Sequence, residues 1–307
     1  MYLISTAVNK FVQARLARGC TAGTAQNYAS QLALFADWLA EQEIKWLDQV
    51  KLRHLEAYVA DLRTRDLMRR SGKISPVTIQ KRALALRSFF RWCHQVKLCK
   101  SDPARNLNVP KCGKRLPKAL LPEMVDGLVA VEMSVRDCAI LALFLDTGLR
   151  LAEVAALDLG DIDYRHCQAH VRHGKNDAER WVVFLPSTGA LVKKWLRSRV
   201  ALDQERALFV SVNGVRLSSS GLYKIIKRLA KAAGIYGEVS PHKLRHTFAT
   251  GYLDEGGSLH VLSAQLGHTD IATTMIYVSV ARRQARLDHA HYSPVRRLAK
   301  RLQRKRK

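Results

Sequence analysis

The sequence predicts a mainly α-helical protein with one small antiparallel β-sheet, divided into an all-helical first domain and an α+β second domain. Three observations carry this. The chain has 307 residues, which suits two domains of ordinary size better than one. Apolar residues recur at helical spacing along most of it, as in Tyr28, Leu32, Phe35 and Leu39. Between Ser101 and Pro122 that pattern breaks into prolines interleaved with lysine and arginine.

Taken in order, the stretch from Ser5 to about Val96 reads as roughly four helices. Thr24 is the N-cap candidate for the second, further segments run from Leu52 to Leu67 and from Pro76 to Val96, and Ser75 before Pro76 is a start signal. The polar, Gly-containing Arg69 to Lys73 reads as a loop. Pro103, Pro110, Pro117 and Pro122, with Lys111, Lys114, Arg115 and Lys118, form an extended basic connector. The expected division is 1–102, a linker 103–118, a second domain 119–294 and a basic tail 295–307.

In the second domain, Met124 to Val131 and Arg136 to Leu145 read as helices. Three strand-like runs follow, Asp161 to Tyr164, Gln168 to Arg172 and Arg180 to Leu185. The stretch His173 to Asp177 has the composition of a hairpin turn. Helices resume at Ser187 to Leu202, Ser219 to Ala233, Lys243 to Leu253 and Leu259 to Leu266. Val295 to Lys307 carries eight Lys or Arg and no acid, the pattern of a mobile DNA-binding tail or a merely solvated end.

Charge narrows the function. Lys and Arg number 51 against 26 Asp and Glu, a formal net charge of +25. Such self-repulsion destabilises a compact state unless a polyanion offsets it, which points to nucleic acid ahead of a membrane surface. The six cysteines, Cys20, Cys93, Cys99, Cys112, Cys138 and Cys167, form no C-x-x-C pair, so neither a zinc ribbon nor a disulfide framework is expected. Cys93 and Cys138 read as small buried hydrophobes. No signal peptide is evident, and the longest apolar run, Cys138 to Leu145, is too short to span a bilayer. The expected compartment is the cytoplasm, with no membrane partner.

Cutting DNA without a metal requires a nucleophile, cations for the charge on the pentacoordinate phosphorus, and a proton for the leaving oxygen. Arg150, in Thr147-Gly148-Leu149-Arg150-Leu151-Ala152-Glu153, stands where one helix ends at a glycine and another begins. There it can enter a cleft, with Glu153 one turn later able to hold a neighbour; alone, it reads equally as a surface arginine paired with Glu153. Lys175 sits at the hairpin tip, where an ammonium can reach a leaving oxygen, although such a lysine is usually a solubility charge. In His242-Lys243-Leu244-Arg245-His246, His242 and Arg245 share a helical face. A metal site from His242 and His246 competes with that reading but lacks the Glu of H-E-x-x-H and a third carboxylate ligand. His268 follows Gly267, which lets the chain turn out of a helix; in isolation it reads as a capping or core histidine. Nine residues later comes Tyr277, whose phenol, with a pKa near 10, attacks only with help from cations or a base.

The ordered set, T-G-L-R-x-x-E at Thr147 to Glu153, G-K at Gly174 to Lys175, H-x-L-R-H at His242 to His246, L-G-H at Leu266 to His268 and then Tyr277, closely resembles the tyrosine recombinases. That group includes phage integrases and Xer-type chromosome resolvases. The match covers about Leu120 to Tyr277, and the helical first domain agrees in size and type with the family's core DNA-binding domain. Residues Arg286 to His289 resemble the C-terminal helix of Xer-like members.

The resemblance implies that Tyr277 is the nucleophile linked to the 3′ phosphate, that Arg150 and Arg245 bind the scissile phosphate, and that Lys175 is the general acid. His242 is implied as proton acceptor or hydrogen-bond partner and His268 as a second phosphate contact. It also implies no cofactor, neither metal nor ATP, and double-stranded DNA at a specific site as partner. Four protomers would act on DNA, as a homotetramer or a heterotetramer with a second recombinase. The hairpin departs from the Gly- and Lys-rich form of many relatives, which bears on Lys175. A type IB topoisomerase-like enzyme and a catalytically idle DNA-binding protein are the competing readings, and Tyr277→Phe separates the latter.

Overall fold

The structure is a computed structural model that describes residues 2–64, 74–113, 118–172, 179–237, 239–268 and 270–278, with 281, 283, 285–287 and 289 beyond them. The chain divides into two compact units, Met1–Lys114 and Arg115–Lys307. The loop expected at Arg69 to Lys73, the hairpin tip with Lys175, and the tail 295–307 lie outside the described residues.

The first unit holds α1 (Ile4–Ala17), α2 (Ala22–Ala40), α3 (Leu52–Thr64) and α4 (Pro76–Gln95). The cap of α2 is Thr21 rather than Thr24: the Thr21 hydroxyl accepts from the Thr24 N–H at 3.3 Å. Ser75 caps α4 in the same way, from the Thr78 N–H, with Pro76 at the first helical position. Apolar faces meet in a core rich in aromatic rings, where Phe11 lies edge-on to Phe89 at 5.6 Å and Phe35 to Tyr58 at 5.0 Å.

The second unit opens with α5 (Pro122–Ala130), so Pro122 begins a helix instead of ending the connector. Next come α6 (Val135–Thr147) and α7 (Leu151–Ala156). The helix α6 is apolar on most sides and correspondingly buried, with Ile140, Leu143 and Phe144 inside. It ends at Gly148, whose φ of +62° is left-handed; a side chain there would also collide with the Phe248 ring. Cys138, expected inside, is only half-buried, whereas Cys93 is buried.

The sheet has the order β1 (Ile162–Asp163), β2 (Gln168–Val171), β3 (Arg180–Val183), all antiparallel, with Ala169 opposite Val182. These strands are shorter than the sequence suggests. Asp161 belongs to a 3₁₀ turn, where its carboxylate accepts from the Asp158 N–H at 2.7 Å. The outer strand β3 is held against a later helix, Leu259–Leu266: the Gln265 side chain donates to the Val183 carbonyl at 2.7 Å and accepts from its N–H at 3.1 Å.

Among the described residues the helices α8 (Pro186–Ser198), α9 (Ser219–Ala232), α10 (Pro241–Asp254), α11 (Leu259–Leu266) and α12 (Ala272–Val278) follow. The run expected to Leu202 stops at Ser198 because Arg199 turns extended and its guanidinium donates to the Glu205 and Ala207 carbonyls. The helix α10 starts two residues earlier than expected, since Ser240 caps it and Pro241 fits its first position. No described helix is long and apolar enough to cross a membrane.

Candidate active site

The left-handed turn at Gly148 reverses the chain and leaves Arg150 just ahead of α7. Glu153 folds back onto it, accepting from the Arg150 N–H at 2.8 Å and from its guanidinium at 2.7 Å. A second guanidinium, Arg180 of β3, meets both oxygens of the same carboxylate, at 3.0 and 2.9 Å, and its Nε donates to the Gln265 carbonyl at 3.0 Å. Glu153 is only 4% exposed. Burial alone would raise its carboxyl, but the hydrogen bonds and charges of Arg180 and Arg150 outweigh that and hold it below the usual range. One anion thus serves two cations, so the cluster keeps a net positive charge.

The first turns of α10 present His242, Arg245 and His246. Arg245 is 4% exposed, and its guanidinium donates to the Gly148 carbonyl at 2.7 Å, to the Leu266 carbonyl at 2.8 Å and to His268 Nε2 at 3.0 Å. None of these acceptors is a carboxylate. Burial, then the Arg150 charge, bring its pKa down to about 10, so it stays charged at neutral pH. Burying a cation against neutral acceptors is unfavourable, and a site built this way favours an incoming anion.

Gly267 ends α11 with φ +63°, and a side chain there would strike the Arg180 guanidinium at 2.8 Å. The glycine therefore serves both the turn and the close passage of Arg180. His268 follows it. Because a guanidinium can only donate, Nε2 of His268 is the acceptor, and its Nδ1 carries the hydrogen bonded to Thr274 Oγ1 at 2.7 Å. Thr274 and Tyr277 share a face of α12, at 0% and 2% exposure. The Tyr277 hydroxyl lies 2.8 Å from Nδ1 of His246. Burial raises the phenol's pKa, while the charges of Arg245 and Arg150 draw it back.

Arg150, His242, Arg245, His246, His268 and Tyr277 line one cavity of about 780 Å³. The structure thus brings together five of the six sequence candidates, and Lys175 lies outside the described residues. Three participants escaped the sequence reading. Arg180 entered only as a strand residue, and its partner carbonyl is 85 positions away. Thr274 had a usable signal, three residues before Tyr277 on a helix. His246 has one too, four residues from His242 on the same face, a spacing that by itself also reads as a metal pair. Among the described residues, no group of three or more His, Cys, Asp or Glu is placed to hold a metal ion.

Two guanidiniums, three imidazoles and the phenols of Tyr223 and Tyr277 around one cavity make a site suited to a phosphodiester. Comparison with known proteins agrees. Residues 114–284 match the phage integrase family, and residues 9–97 match the phage integrase N-terminal SAM-like domain. Tyrosine recombinase XerD of Ralstonia nicotianae is 35% identical over 94% of this chain and 94% of its own length. Tyrosine recombinase XerC of Alcanivorax borkumensis is 40% identical over 68% of this chain and 71% of its own. Among solved structures, the XerH site-specific recombinase bound to palindromic difH substrate shares the fold at a TM-score of 0.70 and 22% identity, covering 94% of this chain and 84% of that one. The chain belongs to the phage integrase family of tyrosine recombinases, enzymes that cleave and rejoin DNA in site-specific recombination through a phosphotyrosine intermediate.

Proposed function

We propose that Tyr277 is the nucleophile of this recombinase, attacking a backbone phosphate held between Arg150 and Arg245. The observation that carries this is the buried Arg245 guanidinium, whose hydrogen bonds go to neutral acceptors while Tyr277 lines the same cavity. Attack forms the bond from the tyrosine oxygen to phosphorus and breaks the bond to the 5′ oxygen. Bond energy is kept in the phosphotyrosine, so a second strand's 5′ hydroxyl can reverse the step without ATP or a metal. His268 supports the phosphate beside Arg245, and His242 contributes a hydrogen bond to it. Lys175 is the general acid for the 5′ oxygen, an assignment that rests on the family resemblance.

Both units contribute cations for double-stranded DNA. In the first, Arg87, Arg91, Lys100 and Arg105 line a cleft of about 610 Å³ in which Asp102 is the one acid. Lys81, Arg82 and Arg87 of α4 and Lys224 and Lys227 of α9 are candidates to reach a groove. Arg228 is a weaker one, because it pairs with the buried Asp137. Affinity falls steeply with salt as counterions are released. Exchange between two duplexes uses four protomers, of this chain alone or with a second recombinase, in the cytoplasm. The biological outcome is Xer-like dimer resolution or the integration and excision of a mobile element.

The test is a nicked suicide DNA carrying the target site, found by sequencing genomic fragments trapped on the protein, incubated without Mg²⁺ or ATP. Wild type yields a covalent protein–DNA adduct on a denaturing gel and Tyr277→Phe yields none while still binding. No adduct on a demonstrably bound site, even with cell extract added, would sink this reading.

A further inference from the structure

We infer that His246, rather than His242, takes the proton from Tyr277 during strand cleavage. The inference rests on the reading of Tyr277 as nucleophile and assigns the proton that the attack must shed.

Geometry comes first. Nδ1 of His246 is 2.8 Å from the phenol oxygen, within the range a general base needs. Among the described hydrogen bonds, none joins His242 to Tyr277. The His242 ring packs edge-on to that of His246, with centroids 4.1 Å apart. The two histidines are four residues apart on α10, so both face the cavity, and among the described hydrogen bonds and ring contacts it is His246 that meets Tyr277.

The electrostatics then make this base conditional on substrate. Burial, His242 and Arg245 bring the pKa of His246 down to about 4, so its imidazole is neutral at neutral pH and free to accept. The groups around the cavity are His242 and Arg245 on the same helix, Tyr277 on α12, Arg150 before α7, His268 after α11, and Tyr223 on α9. Two of these, Arg150 and Arg245, carry full positive charge, and Arg245 disfavours an imidazolium on His246. In the empty site the proton therefore stays on the phenol, and the nucleophile is quiet. A phosphodiester seated between Arg150 and Arg245 offsets those charges and adds a negative one, which favours the imidazolium. Proton transfer becomes accessible only with DNA in place.

The step balances. The Tyr277 O–H bond breaks and its proton moves to Nδ1 of His246 as the tyrosine oxygen bonds to phosphorus. The bond from phosphorus to the 5′ oxygen breaks, and that oxygen takes a proton from the general acid. In the reverse attack the 5′ hydroxyl gives its proton back to the general acid as its oxygen bonds to phosphorus, and the imidazolium returns its proton to the departing phenol.

The experiment is single-turnover cleavage of the suicide DNA between about pH 6 and about pH 9.5, spanning the histidine and approaching the tyrosine range. Wild type, His246→Asn, His246→Gln, His242→Asn and Tyr277→Phe are compared, each on an ordinary scissile linkage and on one with sulfur at the 5′ bridging position. His246→Asn binds DNA as wild type does and cleaves about 10²- to 10⁴-fold more slowly at neutral pH. That defect narrows by roughly tenfold per pH unit as solvent takes over removal of the phenol proton. Sulfur does not restore it, because a better leaving group relieves the need for an acid and not for a base. His246→Gln offers an oxygen to the hydrogen bond but no place for the proton, so it behaves like Asn, and His242→Asn loses less. Cleavage by either His246 variant within about threefold of wild type, a loss constant across pH, or rescue by sulfur would overturn the inference. An adduct formed by Tyr277→Phe would instead overturn the assignment of the nucleophile.

Discussion

Among the described buried residues, those of the first unit are aliphatic, aromatic or Cys93, whereas Asp137, Glu153, Asp161, Arg245 and Thr274 all belong to the second. The contrast extends to what joins the helices. In the first unit the rings of Phe11, Phe35, Tyr58, Phe89 and Phe90 interlock around one centre. In the second, α7, α10, α11 and β3 meet through guanidiniums, a carboxylate and main-chain carbonyls. Apolar burial stabilises a fold without geometric demands. Buried ions do not stabilise it cheaply, and a well-packed apolar replacement is often as good or better. The second unit therefore keeps an arrangement that folding alone would not favour, and its chemistry explains why.

The sharpest way to test that division is to damage each interior separately. Phe35 is fully buried and touches Trp38, Tyr58 and Phe90. Phe35→Ala is expected to lower unfolding free energy by about 3–5 kcal/mol in denaturant titration. Cleavage per folded, DNA-bound molecule should be unchanged. In the second unit, Arg245→Met keeps the stem's volume and removes the charge. Adduct formation on saturating DNA should fall about 10²- to 10³-fold, the scale for losing one preorganised charge stabiliser. Unfolding free energy should fall by no more than about 1 kcal/mol, because the buried cation is itself unfavourable. If Arg245→Met unfolds the protein as Phe35→Ala does, the division fails.

Glu153 offers a test through pH. Its carboxyl is held below the usual range in the folded protein, so its stabilising contribution is complete above the unfolded pKa of about 4.3 and is lost as pH falls through the lower folded value. Glu153→Gln keeps the shape but leaves Arg150 and Arg180 facing each other without an anion. The expected loss is about 2 kcal/mol at neutral pH, the scale for a hydrogen bond to a charged group. Measured against wild type, the difference should shrink below about pH 4. A difference constant from neutral to acid would mean that the carboxylate is not what holds the two arginines.

The same contrast explains what the sequence could show. Helices with an apolar stripe, such as α2 and α4, are legible because 3.6-residue spacing reports a buried face directly. The helix α12 is not: it is seven residues long and includes Thr273, Thr274, Ile276 and Val278, which favour strands, and its packing on α10 and α11 overrides that preference. At the site, Arg150, His242, Arg245, His268 and Tyr277 stand in short ordered motifs, so their presence is legible. Which of them touch is not, because His246 and Tyr277 are 31 positions apart and Arg180 and Glu153 27, distances over which no local periodicity operates. Arg180 illustrates the limit best, since its role exists only where β3, α7 and the end of α11 converge.

The smallest effect is the most discriminating, because it places the same chemical change in both units. Ser75 and Ser240 each cap a helix that begins with proline, accepting from the N–H three residues on, at 3.2 and 3.3 Å. Replacing either with alanine should cost about 1 kcal/mol, since a cap hydroxyl is lost and an N–H at the helix end is left to water. The helix behind Ser75 carries its core phenylalanines, Phe89 and Phe90, about four turns away, so Ser75→Ala should leave the cleavage rate of the bound complex alone. The helix behind Ser240 carries His242, Arg245 and His246 within its first two turns, and fraying there moves groups whose hydrogen bonds define the cavity. Ser240→Ala should therefore slow adduct formation on saturating DNA while matching Ser75→Ala in thermal stability. Equal rates in the two variants would mean that the site tolerates motion at the start of α10, and that Arg245's carbonyl contacts, not the cap, hold it in register.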